Sequence, residues 1–336
     1  MPAKIQAISY YLPEAIVTNE DLAARFPEWT ADEIEHQTGI RNRHYSAYNE
    51  IASDCAQKAA EQLFVEHNIL PQDIDFVLFC AQGSDYHSPT TACLLQHHLG
   101  IPKSAGAMDI NLGCSGFVYS LAIAKGLVET LHRKNVLLLT GETITKSLHP
   151  EDKATLALFG DAGAAALVSH TTEAGHIGDF VLGSDGSGAD IMMKRNGGFR
   201  NPLHLVWGLD YVNDYDQVAN DNCFQMNGLA VFSFSMRQAP QLVKSVLELH
   251  NATFDDIDCF IFHQANGFML EMLRKKMRIP SEKFFVYIAE CGNTVSSTIP
   301  IALCEALQQG RVKAGDRVLL AAFGVGLSWA GTIITV

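Results

Sequence analysis

The sequence DIDFVLF at residues 73–79 recurs as DIDCFIF at residues 256–262, an offset of 183 residues. A second pair of apolar segments, NVLLL at 135–139 and RVLLA at 317–321, is separated by 182 residues. Two matches at nearly the same offset are typical of an internal duplication. Chance resemblance between buried strands is the alternative, but the shared Asp-Ile-Asp lead-in favours duplication. We therefore predict two related halves, residues 1–170 and 171–336.

Each predicted half alternates strands with helices. Continuous apolar runs are typical of strands buried on both faces, and they span residues 77–80, 136–140, 164–168, 259–262 and 318–322. The helical segments span residues 51–67, 115–132, 231–250 and 299–309. This alternation predicts a layered α/β fold with mixed sheets. Residues 183–228 are instead rich in Gly, Asn and Asp, and a loop-rich insertion of this length favours a lid or pocket wall over surface decoration.

The composition excludes several classes of protein. The chain has 336 residues, of which 48% are hydrophobic and 18% are charged, as in a well-packed globular enzyme. We expect no membrane span and no signal peptide, because the sequence lacks the apolar runs that these need. The net charge of −13 argues against nucleic-acid binding. Eight cysteines without a Cys-x-x-Cys pair predict a reducing, cytoplasmic location.

Cys114 is the cysteine whose context is typical of a nucleophile. Residues 109–112 resemble a strand, Gly113 permits a turn, and residues 115–132 form a predicted helix. A thiol at this junction lies near unpaired backbone amides and the positive end of a helix dipole, which favour a thiolate. With a nearby histidine, such placement can lower a thiol pKa from about 8.5 to roughly 3.5–7.5. We therefore expect Cys114 to be reactive and the other cysteines to serve packing.

His263 and Asn293 supply two further polar groups. His263 directly follows the apolar run 259–262, so it is predicted at the end of a buried strand, where α/β sheets form ligand crevices. A satisfied core histidine is the alternative. Asn293 lies in Gly292-Asn293-Thr294, which alone is typical of a turn. Together, an imidazole and a carboxamide can donate hydrogen bonds to an oxyanion without a permanent charge, as a decarboxylating thioester requires.

A glycine loop near the C-terminus is a candidate for a second oxyanion hole. The segment Ala322-Phe323-Gly324-Val325-Gly326 ends a predicted buried strand, and its backbone amides can face an acyl-thioester carbonyl. Its Gly-x-Gly pattern is weak support for a nucleotide site, because no helix and no further βαβ unit follow.

With these segments the chain resembles the β-ketoacyl-[acyl-carrier-protein] synthase III family of thiolase-fold condensing enzymes. The likeness covers nearly the whole chain, and its most specific motifs are His263-Gln264-Ala265-Asn266 and Gly292-Asn293-Thr294. The resemblance implies a thiolase-like, five-layered αβαβα fold made of two duplicated halves, normally as a homodimer. The N-terminal half carries the implied nucleophile, and the C-terminal half carries the histidine and the asparagine.

The resemblance also implies a two-step reaction without a metal or a bound cofactor. Cys114 is the implied nucleophile that takes an acyl group from a coenzyme A (CoA) thioester, and the backbone amides of Cys114 and Val325 match the family's oxyanion hole. A malonyl group on acyl carrier protein then loses carbon dioxide. His263 and Asn293 hold the resulting enolate, which attacks the acyl-enzyme to give a β-ketoacyl product in fatty acid or specialised, polyketide-like biosynthesis.

Several residues depart from the family pattern at the CoA and carrier-protein sites. Glu33 replaces a tryptophan that stacks on adenine, Gln37 replaces an arginine, and Lys153 replaces the adenine-side arginine. Phe268 and Ser233 replace basic residues of the carrier-docking patch, so we expect that charge contact to be lost or moved. The candidate carrier-protein or CoA contacts in this chain are Gln264, Phe268, Lys275, Lys276 and Lys153.

Ser88 occupies the position of an often bulky residue that the dimer partner contributes to the gate of the acyl pocket. A small gate predicts a primer longer than acetyl and a specialised synthase. One alternative keeps Cys114 and His263 but transfers the acyl group to a non-malonyl acceptor in secondary metabolism. A second is a non-catalytic partner subunit, against which the intact Cys–His–Asn set argues.

Overall fold

The structure is a computed structural model that describes residues 2–172, 175–203, 208–213 and 217–336. Within these ranges the α-helices are α1 Asn19–Arg25, α2 Ala31–Thr38, α3 Ala52–His67, α4 Thr91–His98, α5 Gly116–Glu129, α6 Lys153–Leu158, α7 Gly228–Leu249, α8 Gly267–Met277 and α9 Thr298–Gln308. The strands are β1 Ala3–Tyr11, β2 Ala15–Thr18, β3 Asn42–Tyr45, β4 Phe76–Cys80, β5 Gly106–Ile110, β6 Asn135–Glu142, β7 Ala162–His170, β8 His176–Ile177, β9 Val181–Ser184, β10 Met192–Lys194, β11 Tyr211–Val212, β12 Val218–Ala219, β13 Phe224–Met226, β14 Cys259–Phe262, β15 Phe284–Phe285, β16 Arg317–Gly324 and β17 Ser328–Thr335.

Two large sheets share one topology. The first sheet runs β5-β4-β6-β7-β1, and the second runs β15-β14-β16-β17-β8, with β9 also pairing with β17. In both sheets the first three strands are parallel and the later pairs are antiparallel. The repeated sequence segments coincide with β4 and β14, and with β6 and β16. This confirms the predicted α/β fold of two duplicated halves, whereas the boundary at residue 170 stays a prediction.

Helices separate and cover the two sheets. α5 and α9 lie between the sheets and pack against strands of both. α3 and α4 cover the outer face of the first sheet, and α7 covers the outer face of the second. The order of layers is therefore αβαβα, as in thiolase-like enzymes.

Helix α9 shows how the local sequence determines the start and end of an element close to the predicted site residue Asn293. Pro300 lies in its first turn, where a backbone N–H has no hydrogen-bond partner within the helix, so its absence in proline costs no helical hydrogen bond. Gly310 follows the helix with a φ of +67°, a conformation that favours glycine and ends the helix. A 3₁₀ turn at Val295–Ser297 leads into α9 and separates it from Asn293. The observed helix agrees with the predicted segment 299–309.

The other predicted strands and helices agree with the structure to within a few residues. β14 has the predicted bounds, but β5 ends at Ile110, two residues before the end predicted for the segment 109–112. The loop-rich insertion at 183–228 contains the short strands β10 to β13, while its residues 204–207 and 214–216 lie outside the described residues. In the described ranges no helix is both long and apolar enough to cross a membrane.

Candidate active site

One cavity brings the three predicted catalytic side chains together. It has a volume of about 170 Å³ for water-sized molecules, and its lining includes Cys114, His263 and Asn293. Cys114 lies between β5 and α5, His263 follows β14, and Asn293 precedes α9. Most of the remaining lining is apolar, with Leu158, Phe159, Met192, Phe224, Met226, Val231, Phe232, Phe268, Met269 and Phe323. Met192, Phe224 and Met226 come from the insertion, which therefore forms part of the pocket wall as predicted.

The thiol of Cys114 is buried against the loop after β16. The residue is 9% exposed, and a Cβ at Gly324 would lie 2.6 Å from Sγ, so only glycine fits there. Burial raises the pKa of the Cys114 thiol to about 11, although hydrogen bonds from the backbone N–H groups of Val325 and Cys114 lower it. This direction is opposite to the lowered thiol pKa expected from the sequence, because desolvation is the largest contribution to the pKa of Cys114.

His263 is held by a hydroxyl. Its Nδ1 lies 2.7 Å from Oγ1 of Thr298, and this hydroxyl lies 3.1 Å from the carbonyl oxygen of Val295. When the hydroxyl donates to that carbonyl, Nδ1–H donates to the hydroxyl and Nε2 carries no proton. His263 is 1% exposed, and burial lowers its pKa to about 3, so the imidazole is neutral near pH 7.

Asn293 is oriented by two hydrogen bonds of its carboxamide. Nδ2 donates to the carbonyl oxygen of Ala265 at 3.2 Å, and Oδ1 accepts from the backbone N–H of Val295 at 2.9 Å. One N–H of the amide is left for the cavity. The backbone of Asn293 also makes hydrogen bonds with Leu158 and Gly160 of the N-terminal half. Asn293 is therefore held by backbone contacts to the N-terminal half and by side-chain contacts to the C-terminal half.

A buried carboxyl group lies behind the site. Glu142, at the end of β6, accepts hydrogen bonds from the backbone N–H of Gln82 at 3.1 Å and from the Ser296 hydroxyl at 2.5 Å. Burial raises its pKa to about 8, and its charge opposes ionisation of Cys114. Sequence reasoning missed Glu142, although a lone acidic residue that ends a buried apolar strand is a usable signal.

Of the predicted carrier-protein contacts Gln264, Phe268, Lys275 and Lys276, only Phe268 lines the cavity. Gln264 is fully buried, and its amide bonds the Phe262 carbonyl and the backbone N–H of Tyr287, which argues against a ligand contact. Phe268 is 54% exposed at the cavity mouth, where its ring stacks on Phe232 at 6.3 Å. Lys275 pairs with Glu271 at 3.2 Å, and Lys276 donates to the Met236 carbonyl at 2.8 Å, both outside the cavity lining.

Lys153 contacts an aromatic residue that sequence reasoning missed. Its Nζ lies 5.0 Å from the centroid of the Trp29 ring and 2.8 Å from the carboxylate of Glu28. Glu33, which the sequence comparison expected in place of a tryptophan, caps the N-terminus of α2. The sequence signal for this contact is Trp29, which lies four residues before Glu33. Ser88 lies on an exposed loop, outside the cavity lining.

The described ranges contain no cluster of three or more His, Cys, Asp or Glu side chains arranged to hold a metal ion. The expectation that the reaction needs neither a metal nor a bound cofactor stays a prediction. The polar groups of the cavity are a thiol, an imidazole, amides and a hydroxyl, which suit acyl-group and proton transfer.

A duplicated αβαβα fold whose cavity contains Cys114, His263 and Asn293 defines a thiolase-type condensing enzyme, an acyltransferase. Two family models, described as 3-oxoacyl-[acyl-carrier-protein (ACP)] synthase III and its C-terminal part, match residues 108–186 and 247–336. The chain is 36% identical over 334 residues to the β-ketoacyl-[acyl-carrier-protein] synthase III of Caldanaerobacter subterraneus subsp. tengcongensis, and the match covers 99% of this chain and 97% of that one. The chain therefore belongs to the β-ketoacyl-[acyl-carrier-protein] synthase III family.

Solved structures give the same result. A crystal structure of a 3-oxoacyl-(acyl-carrier-protein) synthase III is 45% identical, with a TM-score of 0.98 and full coverage of both chains. The priming β-ketosynthase of the R1128 polyketide biosynthetic pathway is 26% identical, with a TM-score of 0.86, and the match covers 99% of this chain and 96% of that one. The predicted family and thiolase-like fold are confirmed.

Proposed function

We propose that this protein takes an acyl group from a CoA thioester on Cys114 and condenses it with a malonyl group on acyl carrier protein. The observation that carries the proposal is the convergence of Cys114, His263 and Asn293 on one cavity. A thiol, an imidazole and a carboxamide supply a nucleophile, a proton acceptor and a neutral hydrogen-bond donor. A relative that is 36% identical is a β-ketoacyl-[acyl-carrier-protein] synthase III, a name that fits this reaction.

In the acylation step, the sulfur of Cys114 attacks the thioester carbonyl as its proton leaves. His263 is suited to accept the proton at Nε2, because its Nδ1 is engaged by Thr298. The tetrahedral oxyanion accepts hydrogen bonds from the backbone N–H groups of Cys114 and Val325, a role supported by their bonds to the sulfur. Collapse breaks the bond to the CoA sulfur, which takes the proton from Nε2 and leaves as a thiol.

In the condensation step, the malonyl carboxylate leaves as carbon dioxide and its bonding electrons form an enolate. Among the described residues that line the cavity there is no lysine or arginine, so no cation stabilises the carboxylate before it is lost. The enolate oxygen accepts hydrogen bonds from Nδ2 of Asn293 and Nε2–H of His263. The enolate carbon attacks the acyl carbonyl, and cleavage of the bond to Sγ releases Cys114 as a thiolate. The thiolate takes a proton from water and returns to the thiol that its raised pKa favours.

Thr298 supports both steps because a hydroxyl can accept or donate. Acylation needs Nε2 of His263 without a proton, so Nδ1–H donates to the Thr298 oxygen while the hydroxyl donates to the Val295 carbonyl. Condensation needs the other tautomer, with the proton on Nε2. The imidazole reaches it when Nδ1 loses its proton to water and Nε2 gains one from water after free CoA has left, and the hydroxyl then turns and donates to Nδ1. Thr298 is therefore a positioning residue that stabilises either tautomer.

The carrier protein docks, in this proposal, at a mouth that is more apolar than charged. Phe268 is 54% exposed there and stacks on Phe232. Lys275 is paired with Glu271, and Lys276 is bonded to a backbone carbonyl, so neither is a free cation at the cavity. Binding of malonyl carrier protein should therefore weaken little between low and high salt, whereas Phe268→Arg should make it salt-dependent.

The protein acts, in this proposal, as a cytoplasmic homodimer. β5 is an edge strand of the first sheet, unpaired on its outer side within the described residues, and its Met108 is exposed. Such an edge suits pairing with a second copy. The eight cysteines are free, which suits a reducing compartment. Sedimentation velocity should give the mass of a dimer, and a monomer at micromolar concentration would contradict this part of the proposal.

The reaction itself is tested by product analysis with mass spectrometry. Wild-type enzyme given an acyl-CoA and malonyl carrier protein should release free CoA and a β-ketoacyl thioester, and Cys114→Ala should form neither. Cys93→Ala is a matched control, because Cys93 is an exposed free thiol outside the cavity. Faster product formation with an amine or alcohol acceptor than with malonyl carrier protein would instead support acyl transfer to a non-malonyl acceptor.

A further inference from the structure

Gln82 places a primary amide beside the nucleophile. It lies on the loop after β4 and lines the cavity. Its backbone is fixed at both ends, because its N–H donates to Glu142 at 3.1 Å and its carbonyl accepts from Nδ2 of Asn111 at 2.9 Å. Its side chain is directed at Gly113, where an added Cβ would collide with Oε1 of Gln82. The amide is therefore held next to Cys114.

The amide of Gln82 differs from the other polar side chains of the cavity. The others make hydrogen bonds inside the protein, namely His263, Asn293, Ser235 and Asn266. Within the part of the chain that the structure describes, the Gln82 amide makes none. A primary amide offers two N–H donors and one carbonyl acceptor. A purely alkyl group packed against it would remove its water without replacing those hydrogen bonds, at a cost in binding.

We propose that Gln82 selects a short acyl primer that carries a neutral oxygen, a hydroxyl or keto group, close to its thioester carbon. This inference rests on the proposed function, since it names the primer class of the same site. A hydroxyl matches best, because it can donate to Oε1 and accept from Nε2 of the amide. A charged primer fits poorly, because no lysine, arginine, aspartate or glutamate occurs among the described residues that line the cavity.

The test compares two primers that differ by one oxygen. Loading of Cys114 by butanoyl-CoA and by 3-hydroxybutanoyl-CoA is followed by intact-protein mass spectrometry, and kcat/KM is obtained for each. We expect wild-type enzyme to favour the hydroxylated primer by about five- to tenfold, the effect of one net hydrogen bond. Gln82→Met keeps the side-chain length but has no amide, and it should reduce the preference to less than about twofold.

Gln241 provides the control, because it is an exposed glutamine on α7 outside the cavity. Gln241→Met should keep the wild-type preference. Equal loading of both primers by wild-type enzyme would overturn the inference even if Gln82→Met failed to fold, and so would an unchanged preference in a folded Gln82→Met. Failure of every acyl-CoA to load Cys114 would overturn the proposed function itself, which separates the two failures.

Discussion

Replacement of Thr298 by valine is expected to slow both steps of the reaction while the fold is kept. Valine has nearly the shape of threonine but lacks the hydroxyl that lies 2.7 Å from Nδ1 of His263. Both residues are buried, so water does not replace the lost partner. The imidazole then loses the hydroxyl that fixes its orientation and stabilises either tautomer.

The size of the effect follows from the burial of His263. A buried donor or acceptor that is left unsatisfied costs about 1–3 kcal/mol. At about 1.4 kcal/mol per factor of ten, this predicts a fall in kcat of roughly 5- to 150-fold. Because the imidazole acts in acylation and in condensation, both rate constants should fall. KM for the acyl-CoA should change little, since Thr298 does not line the cavity.

The two steps can be measured separately by rapid-quench mass spectrometry, first as acylation of Cys114 and then as discharge by malonyl carrier protein. Thr298→Ser retains a hydroxyl and should recover most of the lost rate. Thr91→Val is the matched control, because Thr91 is a buried threonine whose hydroxyl has no hydrogen-bond partner among the described residues. Wild-type rates in Thr298→Val, or no recovery in Thr298→Ser, would refute the positioning role.

Three further predictions concern charge and the primer gate. Because burial raises the thiol pKa of Cys114 to about 11, its alkylation by iodoacetamide should rise about tenfold per pH unit from pH 7 to 10, and a plateau below pH 8 would indicate a resting thiolate. Burial raises the Glu142 pKa from 4.5 to about 8, so the folded protein keeps a proton that the unfolded chain loses, and stability falls as the pH rises through this interval. Glu142→Gln should therefore lose less Tm between pH 5 and pH 8 than wild type, and equal losses would exclude this account. Ser88→Phe should abolish loading by primers longer than acetyl and spare acetyl, and an unchanged chain-length preference would exclude a gate at this position.

The sequence predicted the features that depend on local pattern. The apolar run 259–262 coincides with β14, and the segment around Pro300 and Gly310 coincides with α9, because buried strands and capped helices have strong local signals. The repeat at residues 73–79 and 256–262 anticipated two sheets of equal topology. His263 was expected at the end of a strand, and Cys114, His263 and Asn293 were expected to share a site. The structure brings these three residues to one cavity, while their catalytic roles stay predictions.

Properties that arise from packing between distant segments were not predictable. The raised thiol pKa of Cys114 depends on burial against Gly324, far along the chain, and on the charge of Glu142. Gln264 belongs to the motif on which the resemblance rests, but only the fold shows that both polar atoms of its amide are hydrogen-bonded to the backbone. Gln82 has no distinguishing local sequence pattern. Its position at the cavity depends on hydrogen bonds between its backbone and the side chains of Glu142 and Asn111, which are distant in sequence.

The most direct test of the account is peptide mass spectrometry of the enzyme after acyl-CoA and then after malonyl carrier protein. The account predicts an acyl group on the Cys114 peptide that malonyl carrier protein removes from wild-type enzyme as a β-ketoacyl product. Asn293→Leu should acquire the same acyl group and keep it, because the enolate loses a hydrogen-bond donor. An acyl group on another residue, or discharge of Asn293→Leu at the wild-type rate, would contradict the shared role of the three side chains.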